Sequence, residues 1–212
     1  TKVGKVGARV IAVYDMPDVK ATLTITYDID GEGARTVQQQ LKTTPEAKVS
    51  NLLRFGMVMD LDYNMDKSEF YGRGPIENYI DRKASQNIGI YKQTADQQFF
   101  PYIRPQETGT KSDIRWWKQT TANGLGFCVS ALNNYFDACA LHYNISDLDE
   151  GDQKAQRHSP EVAKSKYTEL CINLAHFGVG GENSWGAWPL KQHRLPYQDM
   201  TFSFRLTPLG VK

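Results

Sequence analysis

This 212-residue sequence lacks an excess of either positive or negative charge. It holds 25 Lys and Arg against 24 Asp and Glu, which gives a formal net charge of +1. This balance gives no reason to expect nucleic acid or an anionic membrane as a partner. No apolar run approaches the roughly 20 residues that a membrane-spanning helix needs, and no signal-peptide core is present. An initiator Met is also missing, so we expect a part of a longer polypeptide.

Cysteine is scarce and unpatterned. Cys128, Cys139 and Cys171 lie in apolar runs and form no CxxC pair, and we predict that they are small buried hydrophobic residues. One disulfide with a leftover thiol is the alternative. The compartment therefore stays open between cytoplasm and periplasm.

Motifs for metal and nucleotide chemistry are missing as well. The sequence contains no HxH or HxxxH pair, no GxSxG elbow and no P-loop, and GVGGENS lacks the spacing of a dinucleotide fingerprint. His142 and His176 each lie at the end of a predicted strand, where a satisfied core histidine is the commoner case. We expect no metal or cofactor in this chain.

Helical periodicity is weak, and a period of two takes its place. Residues 21–30 alternate apolar and polar side chains, and a turn at 31–33 leads to a return strand at 35–43. Further strands are predicted at 52–62, 125–132, 138–145, 167–175 and 200–207. One face of 52–62 carries Leu53, Phe55, Met57, Met59 and Leu61.

Only residues 146–165 carry a helical signal, enough for one or two short turns. No linker divides the chain. Many antiparallel strands without crossover helices predict an all-β fold, a large antiparallel β-sandwich that forms a single domain over residues 1–212.

The segment FYGRGPIENYIDRK at 70–83 differs from a strand or helix interior. We predict a shaping loop, in which Gly72 and Gly74 adopt backbone angles that other residues resist and Pro75 fixes the exit. Its charged side chains balance and predict a structural ion-pair network: Arg73, Glu77, Asp81 and Arg82.

Two other loops, at 99–117 and 176–197, concentrate aromatic, charged and glycine residues. The second combines Trp185 with Glu182 and Asn183. Aromatic rings pack on the C–H faces of sugars, and polar side chains bind the hydroxyls, so these residues are candidates for sugar contact. We expect Trp188, which precedes a proline, to cap the core.

Adjacent tryptophans at 116 and 117 predict that one points inward and the other outward. Glycoside hydrolysis needs two carboxylates flanking one bond at a defined separation. Glu77, Asp81, Glu107 and Glu182 are available, and composition cannot pair them.

The loops resemble those of the C-terminal domain of the long β-galactosidases of glycoside hydrolase family 2. Residues 71–83, YGRGPIENYIDRK, resemble that family's YGRGPxENYxDRK motif. The other matches follow in the same order: 54–56 with Arg-Ile-Gly, 101–109 with P-Y-x-x-P-x-E-x-G, 142–146 with an F-N-I-S strand end, His158 with a histidine after the polar excursion, and 178–185 with G-I-G-G-D-D-S-W.

The resemblance implies a large antiparallel β-supersandwich related in fold to galactose mutarotases, the last of five domains. The two catalytic Glu residues lie in a TIM-barrel domain outside this chain, so the resemblance implies no catalytic residue here. Mg and Na would belong to that catalytic domain. The implied partners are the barrel and the other domains of the parent, a β-galactoside, and further copies in a homo-oligomer.

The implied activity of the parent is hydrolysis of terminal β-D-galactosides with retention. Trp185 matches the family tryptophan that forms a platform for the sugar, chiefly on its aglycone side. Glu182 and Asn183 depart from the family's Asp-Asp, and Ile76 and Ile80 from its His and Pro. The resemblance gives loop-shaping or interdomain roles to Arg73, Glu77, Asn78, Asp81, Arg82, Arg104 and Glu107.

Two other functions stay open. The aromatic loops also fit an independent galactoside-binding module. An aldose mutarotase needs a His and a Glu across the anomeric centre of the sugar, and His142 or His176 with Glu107 are the candidates.

Overall fold

Antiparallel strands account for most of the regular structure. The computed structural model describes residues 7–149, 157–183 and 185–210. The strands of these residues are, in chain order, β1 (Ala8–Met16), β2 (Ala21–Ile29), β3 (Arg35–Thr43), β4 (Asn51–Leu52), β5 (Arg54–Asp62), β6 (Lys67–Gly74), β7 (Asn87–Thr94), β8 (Lys111–Ile114), β9 (Trp116–Thr120), β10 (Gly126–Ala131), β11 (Phe136–Leu141), β12 (Tyr167–His176), β13 (Leu195–Pro196) and β14 (Met200–Leu209).

The helices are short. Single α-turns form at α1 (Ala95–Gln98) and α2 (Ile145–Leu148), and 3-10 turns at Pro17–Val19, Ser159–Glu161 and Lys191–His193. Two of these turns match the helical signal predicted between 146 and 165, of which residues 150–156 lie outside the described part. None of the described helices is long and apolar enough to cross a membrane.

Two sheets pack face to face around a common core. The larger has the order β1-β2-β3-β14-β10-β9-β6-β7, the smaller the order β5-β12-β11-β8, and β13 pairs with β4. Side chains from both sheets form the main cluster, among them Val37, Val129, Phe202 and Phe204 from the larger and Phe136, Leu170 and Ile172 from the smaller. The all-β antiparallel sandwich is thus confirmed, whereas the likeness to galactose mutarotases stays a prediction.

The period of two places the predicted faces correctly in most strands. The hairpin of β2 and β3 pairs Ala21 with Thr43 through to Ile29 with Arg35. Trp117 is fully buried and stacks on Phe70, with 4.8 Å between ring centroids, while Trp116 is only half-buried. The prediction of one inward tryptophan is therefore confirmed.

Leu53 contradicts the predicted face of its strand. It is 75% exposed, because β5 begins only at Arg54 and Leu53 lies in the bend before it. Its carbonyl accepts the Phe177 N–H at 2.8 Å. The face predicted from Phe55 onward does pack against the core.

The segment predicted as an irregular loop begins as a strand. Residues 70–74 belong to β6 and pair with β7, with Gly72 opposite Gly89 and Phe70 opposite Tyr91. The glycines are needed for space rather than for unusual backbone angles. A Cβ on Gly72 would lie 2.3 Å from Ile114 Cδ1 and 3.2 Å from the Ser112 carbonyl oxygen, so no side chain fits where β8 crosses.

The buried cysteines and His142 behave as predicted. Cys139 and Cys171 are buried, Cys128 is only partly buried and so departs from the prediction, and all three thiols are free. His142 is buried and lies 3.1 Å from Asp96 Oδ1 and 3.2 Å from the Tyr63 carbonyl oxygen. Its ring therefore has partners for both nitrogens.

Candidate functional site

A cleft of about 500 Å³ with a mixed polar and apolar lining lies between the 99–117 loop and the start of the 176–197 loop. Arg54 from β5 and His176 from β12 form part of its wall because they are opposite each other in the smaller sheet. Three predicted site residues also line it: Arg82, Arg104 and Glu107. The sheet register thus brings side chains that are distant in sequence to one cleft.

Glu107 is held on several sides inside this cleft. Its Oε2 accepts a short hydrogen bond from Arg54 and lies 3.4 Å from His176 Nε2. Its Oε1 accepts from the Tyr79 hydroxyl at 3.2 Å and from Thr110 Oγ1 at 3.0 Å. Both carboxylate oxygens are therefore used by internal partners.

These partners decide the charge of Glu107. Burial alone would raise its pKa, but the contact with His176, the positive charge of Arg54 and the Thr110 hydroxyl outweigh burial and lower the pKa to about 2. A carboxylate with so low a pKa is a weak proton acceptor near neutral pH. His176 and Glu107 do lie together, but this chemistry disfavours them as the acid and base of a mutarotase.

Glu77 occupies a second internal site. Its side chain is almost completely buried, and Oε1 accepts short hydrogen bonds from Arg82 and from the Tyr102 hydroxyl. Oε2 accepts the Gly109 N–H at 2.7 Å. Glu77 and Arg82 thus bind the 70–83 segment to the 99–117 loop.

Asn78 and Arg73 make the same kind of connection to β8. The fully buried Asn78 accepts the Ser112 N–H at 3.0 Å and donates to the Ile76 carbonyl at 2.9 Å. Arg73 contacts Asp113 Oδ2 at 2.5 Å and the Gln86 carbonyl at 2.8 Å. These polar side chains therefore contact other parts of the sandwich, whereas Ile76 and Ile80 of the same segment are exposed.

Trp185 lies in the opposite situation. Its side chain is 93% exposed, and its backbone N–H donates to Asn183 Oδ1 at 2.8 Å. Gly186 follows with a φ of +95°, a conformation that favours glycine. Glu182 and Asn183 are exposed beside it. The structure brings these three residues together at a loop tip and keeps them out of the cleft.

Trp188 does not cap the core as predicted. It is 54% exposed and contacts Phe177 edge-on, with 5.9 Å between ring centroids. The guanidinium of Arg194 lies 5.1 Å from its ring centroid. The larger sheet already fills the core with its own aromatic residues, so this loop packs on the outside.

Arg54 and Tyr79 are the main contributors that no predicted site set included, and His176 was predicted only as a mutarotase candidate with Glu107. Arg54 lies in a motif of the sequence and His176 at a strand end, and those were the available signals. Among the described residues, no group of three or more His, Cys, Asp or Glu is placed to hold a metal ion.

Comparison with known protein families assigns this chain to a family. The family model described as "Beta galactosidase small chain" matches residues 1–206. The chain belongs to this β-galactosidase small-chain family. Membership agrees with the resemblance carried by the motif loops.

The relatives that this chain matches are much longer than the chain itself. A β-galactosidase of Priestia megaterium is 32% identical over 190 residues, which cover 89% of this chain and 18% of the relative. One of Lactobacillus delbrueckii subsp. bulgaricus is 34% identical over 79% of this chain and 16% of its own length. One of Streptococcus thermophilus is 27% identical over 95% of this chain and 19% of its own length. The chain thus spans about a fifth of the curated relatives that it matches.

Proposed function

We propose that this chain is the C-terminal domain of a retaining β-galactosidase that hydrolyses terminal β-D-galactosides. The observation that carries the proposal is the 93% exposed Trp185 at the tip of a loop in a chain that matches the small-chain family over residues 1–206. An indole ring left in water serves no purpose within the sandwich. It becomes useful when a sugar or a neighbouring domain covers it.

The role of Trp185 in this proposal is to orient the sugar. A flat aromatic ring offers a large apolar face to the C–H side of a pyranose at low entropic cost. Holding the sugar in one orientation favours attack by groups on another domain. Asn183 and Glu182 lie beside the ring and would contact hydroxyl groups. The catalytic carboxylate pair then belongs to a barrel domain of the parent, and no cofactor is required in this chain.

The remaining role is support of that barrel and of the other parent domains. The outer strand β1 leaves a set of large apolar side chains in solvent: Val10, Ile11, Val13 and Tyr14. Such a row on an edge strand invites association when it stays uncovered. We propose that other parts of the parent polypeptide cover it.

The test of the platform is the substitution Trp185→Ala in the full-length enzyme. We expect substrate or acceptor binding to weaken by about 1–3 kcal/mol, the scale for losing contact with an aromatic face. KM and kcat would be measured for galactosides with several different aglycones. Trp188→Ala is the matched control, because this second tryptophan of the loop is half-covered by Phe177 and Arg194.

Kinetic constants that stay at wild-type values across all aglycones would contradict the platform. The two other candidate functions have their own readouts. Tight binding of lactose by the isolated chain would favour an independent module, and faster mutarotation of fresh α-galactose in a polarimeter would favour a mutarotase. We expect no faster mutarotation, because Glu107 is committed to Arg54, and no tight lactose binding, because the proposed site is completed by other domains of the parent.

A further inference from the structure

Asp81 connects the turn of the 70–83 segment to the loop that carries Trp185. Its Oδ2 accepts the Gly180 N–H at 2.7 Å, across 99 positions of sequence. No other side chain of the 70–83 segment has a hydrogen bond to the 178–188 loop in the described part of the chain. This one contact therefore links the two loops.

The glycines of the loop are shaped around that carboxylate. A Cβ on Gly178 would lie 2.6 Å from Asp81 Oδ2, and a Cβ on Gly180 would lie 3.2 Å from the same atom. Neither glycine has a backbone φ that requires glycine. Their lack of a side chain is thus explained by the close approach of Asp81.

The turn that carries Asp81 is itself fixed. The Arg82 N–H donates to the Tyr79 carbonyl at 2.9 Å and closes a tight turn around Asp81. Tyr79 is completely buried, and its hydroxyl donates to Glu107 at 3.2 Å. Asp81 is therefore positioned by the same network that holds the cleft.

The other side of the loop is also constrained. The Gly178 N–H donates to the His193 carbonyl at 2.8 Å. A Cβ on Gly181 would lie 2.2 Å from the Ala187 carbonyl oxygen. The two arms of the loop therefore lie close together at the residue that follows Gly180. Trp185 lies between these two glycine- and alanine-bearing arms and is exposed.

We propose that Asp81 is the positioning residue of the Trp185 loop, acting as a latch through its hydrogen bond to Gly180. Its consequence for catalysis rests on the proposed platform role of Trp185. Asp81 touches no substrate in this proposal. It determines where the indole ring stands relative to the rest of the enzyme.

The experiment uses full-length enzyme with Asp81→Ala, Asp81→Asn and Gly178→Ala. Hydrogen exchange of the 178–188 amides is measured by mass spectrometry, and KM and kcat are measured for galactosides. We expect Asp81→Ala and Gly178→Ala to speed exchange of this loop about tenfold, the scale of one lost hydrogen bond to a charged group. Asp81→Asn retains an acceptor and should stay close to wild type.

Two further variants separate the latch from the platform. In a Trp185→Ala background, Asp81→Ala should change KM no further, since both act through the same ring. Asp62→Ala is the matched control, because its carboxylate also accepts one backbone N–H, from Asn64 at 2.9 Å, in an exposed turn. It should leave exchange at 178–188 unchanged.

The outcomes are distinct. Wild-type exchange at 178–188 in both Asp81→Ala and Gly178→Ala overturns the latch, and the second variant gives that answer even when the first fails to fold. If exchange quickens while Trp185→Ala leaves KM unaltered, the latch is supported and the platform role fails. A KM increase for Asp81→Ala that persists in the Trp185→Ala background contradicts action through Trp185.

Discussion

The 70–83 segment and the 178–188 loop contain similar residue types but use them in opposite ways. In the first, charged and amide side chains point into the protein, where Glu77, Asn78 and Arg73 each hold backbone groups or opposite charges. In the second, Glu182, Asn183 and Trp185 stand in solvent. A sequence rich in Gly, Glu, Asn and aromatic residues is thus compatible with either a framework or a contact surface.

The difference lies in how each side chain meets its hydrogen-bonding needs. Polar groups that leave water require partners within the protein, and the partners of Glu77 are a guanidinium, a hydroxyl and a backbone amide. Within the described part of the chain, the indole of the 93% exposed Trp185 has no such hydrogen bond to lose. Substitutions in the first segment should therefore change folding, and those in the second should change binding.

The largest effect is expected for Glu107→Gln, which breaks the framework at the cleft. The ion pair with Arg54 is about four-fifths shielded on both sides, with side-chain exposures of 22% for Arg54 and 20% for Glu107. Removing one charge leaves a shielded guanidinium without its counter-ion, so we expect the free energy of unfolding to fall by about 3 kcal/mol. Chemical unfolding of the 212-residue chain measures it.

The same variant gives a pH dependence. The pKa of folded Glu107 is lowered from an ordinary 4.5 to about 2, so its stabilising effect is fully present above pH 4.5 and is lost as pH falls from about 4.5 to about 2. The difference in the free energy of unfolding between wild type and Glu107→Gln should become smaller as pH falls over that range. Asp28→Asn, in an exposed pair with Arg9, is the control and should cause a much smaller loss. A constant gap from pH 7 to pH 2 would contradict the assignment.

A smaller effect is expected for Arg73→Ala. Arg73 and Lys83 both contact Asp113, a residue with a φ of +55°. Substitution of Arg73 removes its hydrogen bonds to Asp113 and to the Gln86 carbonyl, while Lys83 still pairs with Asp113, so we expect a loss of about 1–2 kcal/mol. A melting curve of the chain and lactose turnover of the full enzyme would be compared.

Arg73→Lys serves as the companion variant, because it keeps the charge but cannot reach both Asp113 and the Gln86 carbonyl. We expect an intermediate loss of stability. An unchanged melting curve together with lost turnover would instead assign Arg73 to the contact surface.

The smallest effect on folding is expected for Trp185→Ala. A side chain that is 93% exposed loses almost no buried area, so the free energy of unfolding should stay within about 0.5 kcal/mol of wild type. Urea unfolding of the chain measures this. Trp117→Phe, in the fully buried core position, should destabilise clearly. A large loss for Trp185→Ala would remove the distinction between the two regions.

The strands could be predicted because their alternation records burial directly. Met200, Phe202, Phe204 and Leu206 are buried along β14, as the period of two requires. The prediction for Leu53 is wrong because the apolar–polar alternation of the sequence extends to residues before Arg54, where the hydrogen-bonded strand β5 begins. The prediction that Gly72 adopts an unusual backbone angle is wrong because the need for glycine comes from Ile114, which lies on a different strand.

The site was predictable only where a motif named its residues. Composition predicts that the 176–197 loop is a contact loop, and this stays a prediction, although Trp185 is exposed there. The contacts of Glu107 with Arg54 and His176 depend on which strands become neighbours, which local sequence does not contain. The contact of Asp81 with Gly180 has the same origin.

The passage from β8 to β9 has a consequence for the motion of the sandwich. Only Arg115 separates the two strands, and its N–H donates to the Tyr71 carbonyl at 2.8 Å, so the chain steps from the smaller sheet into the larger without leaving the hydrogen-bonded network. The sheets are joined along this margin. At the opposite margin β5 and β1 are the outermost strands of the two sheets in the described part of the chain, and a mainly apolar pocket of about 280 Å³ lies between Leu23, Phe55 and Tyr197. Local opening of the fold should start at this margin. Protection of the backbone amides from hydrogen exchange should rise steadily toward β8 and β9.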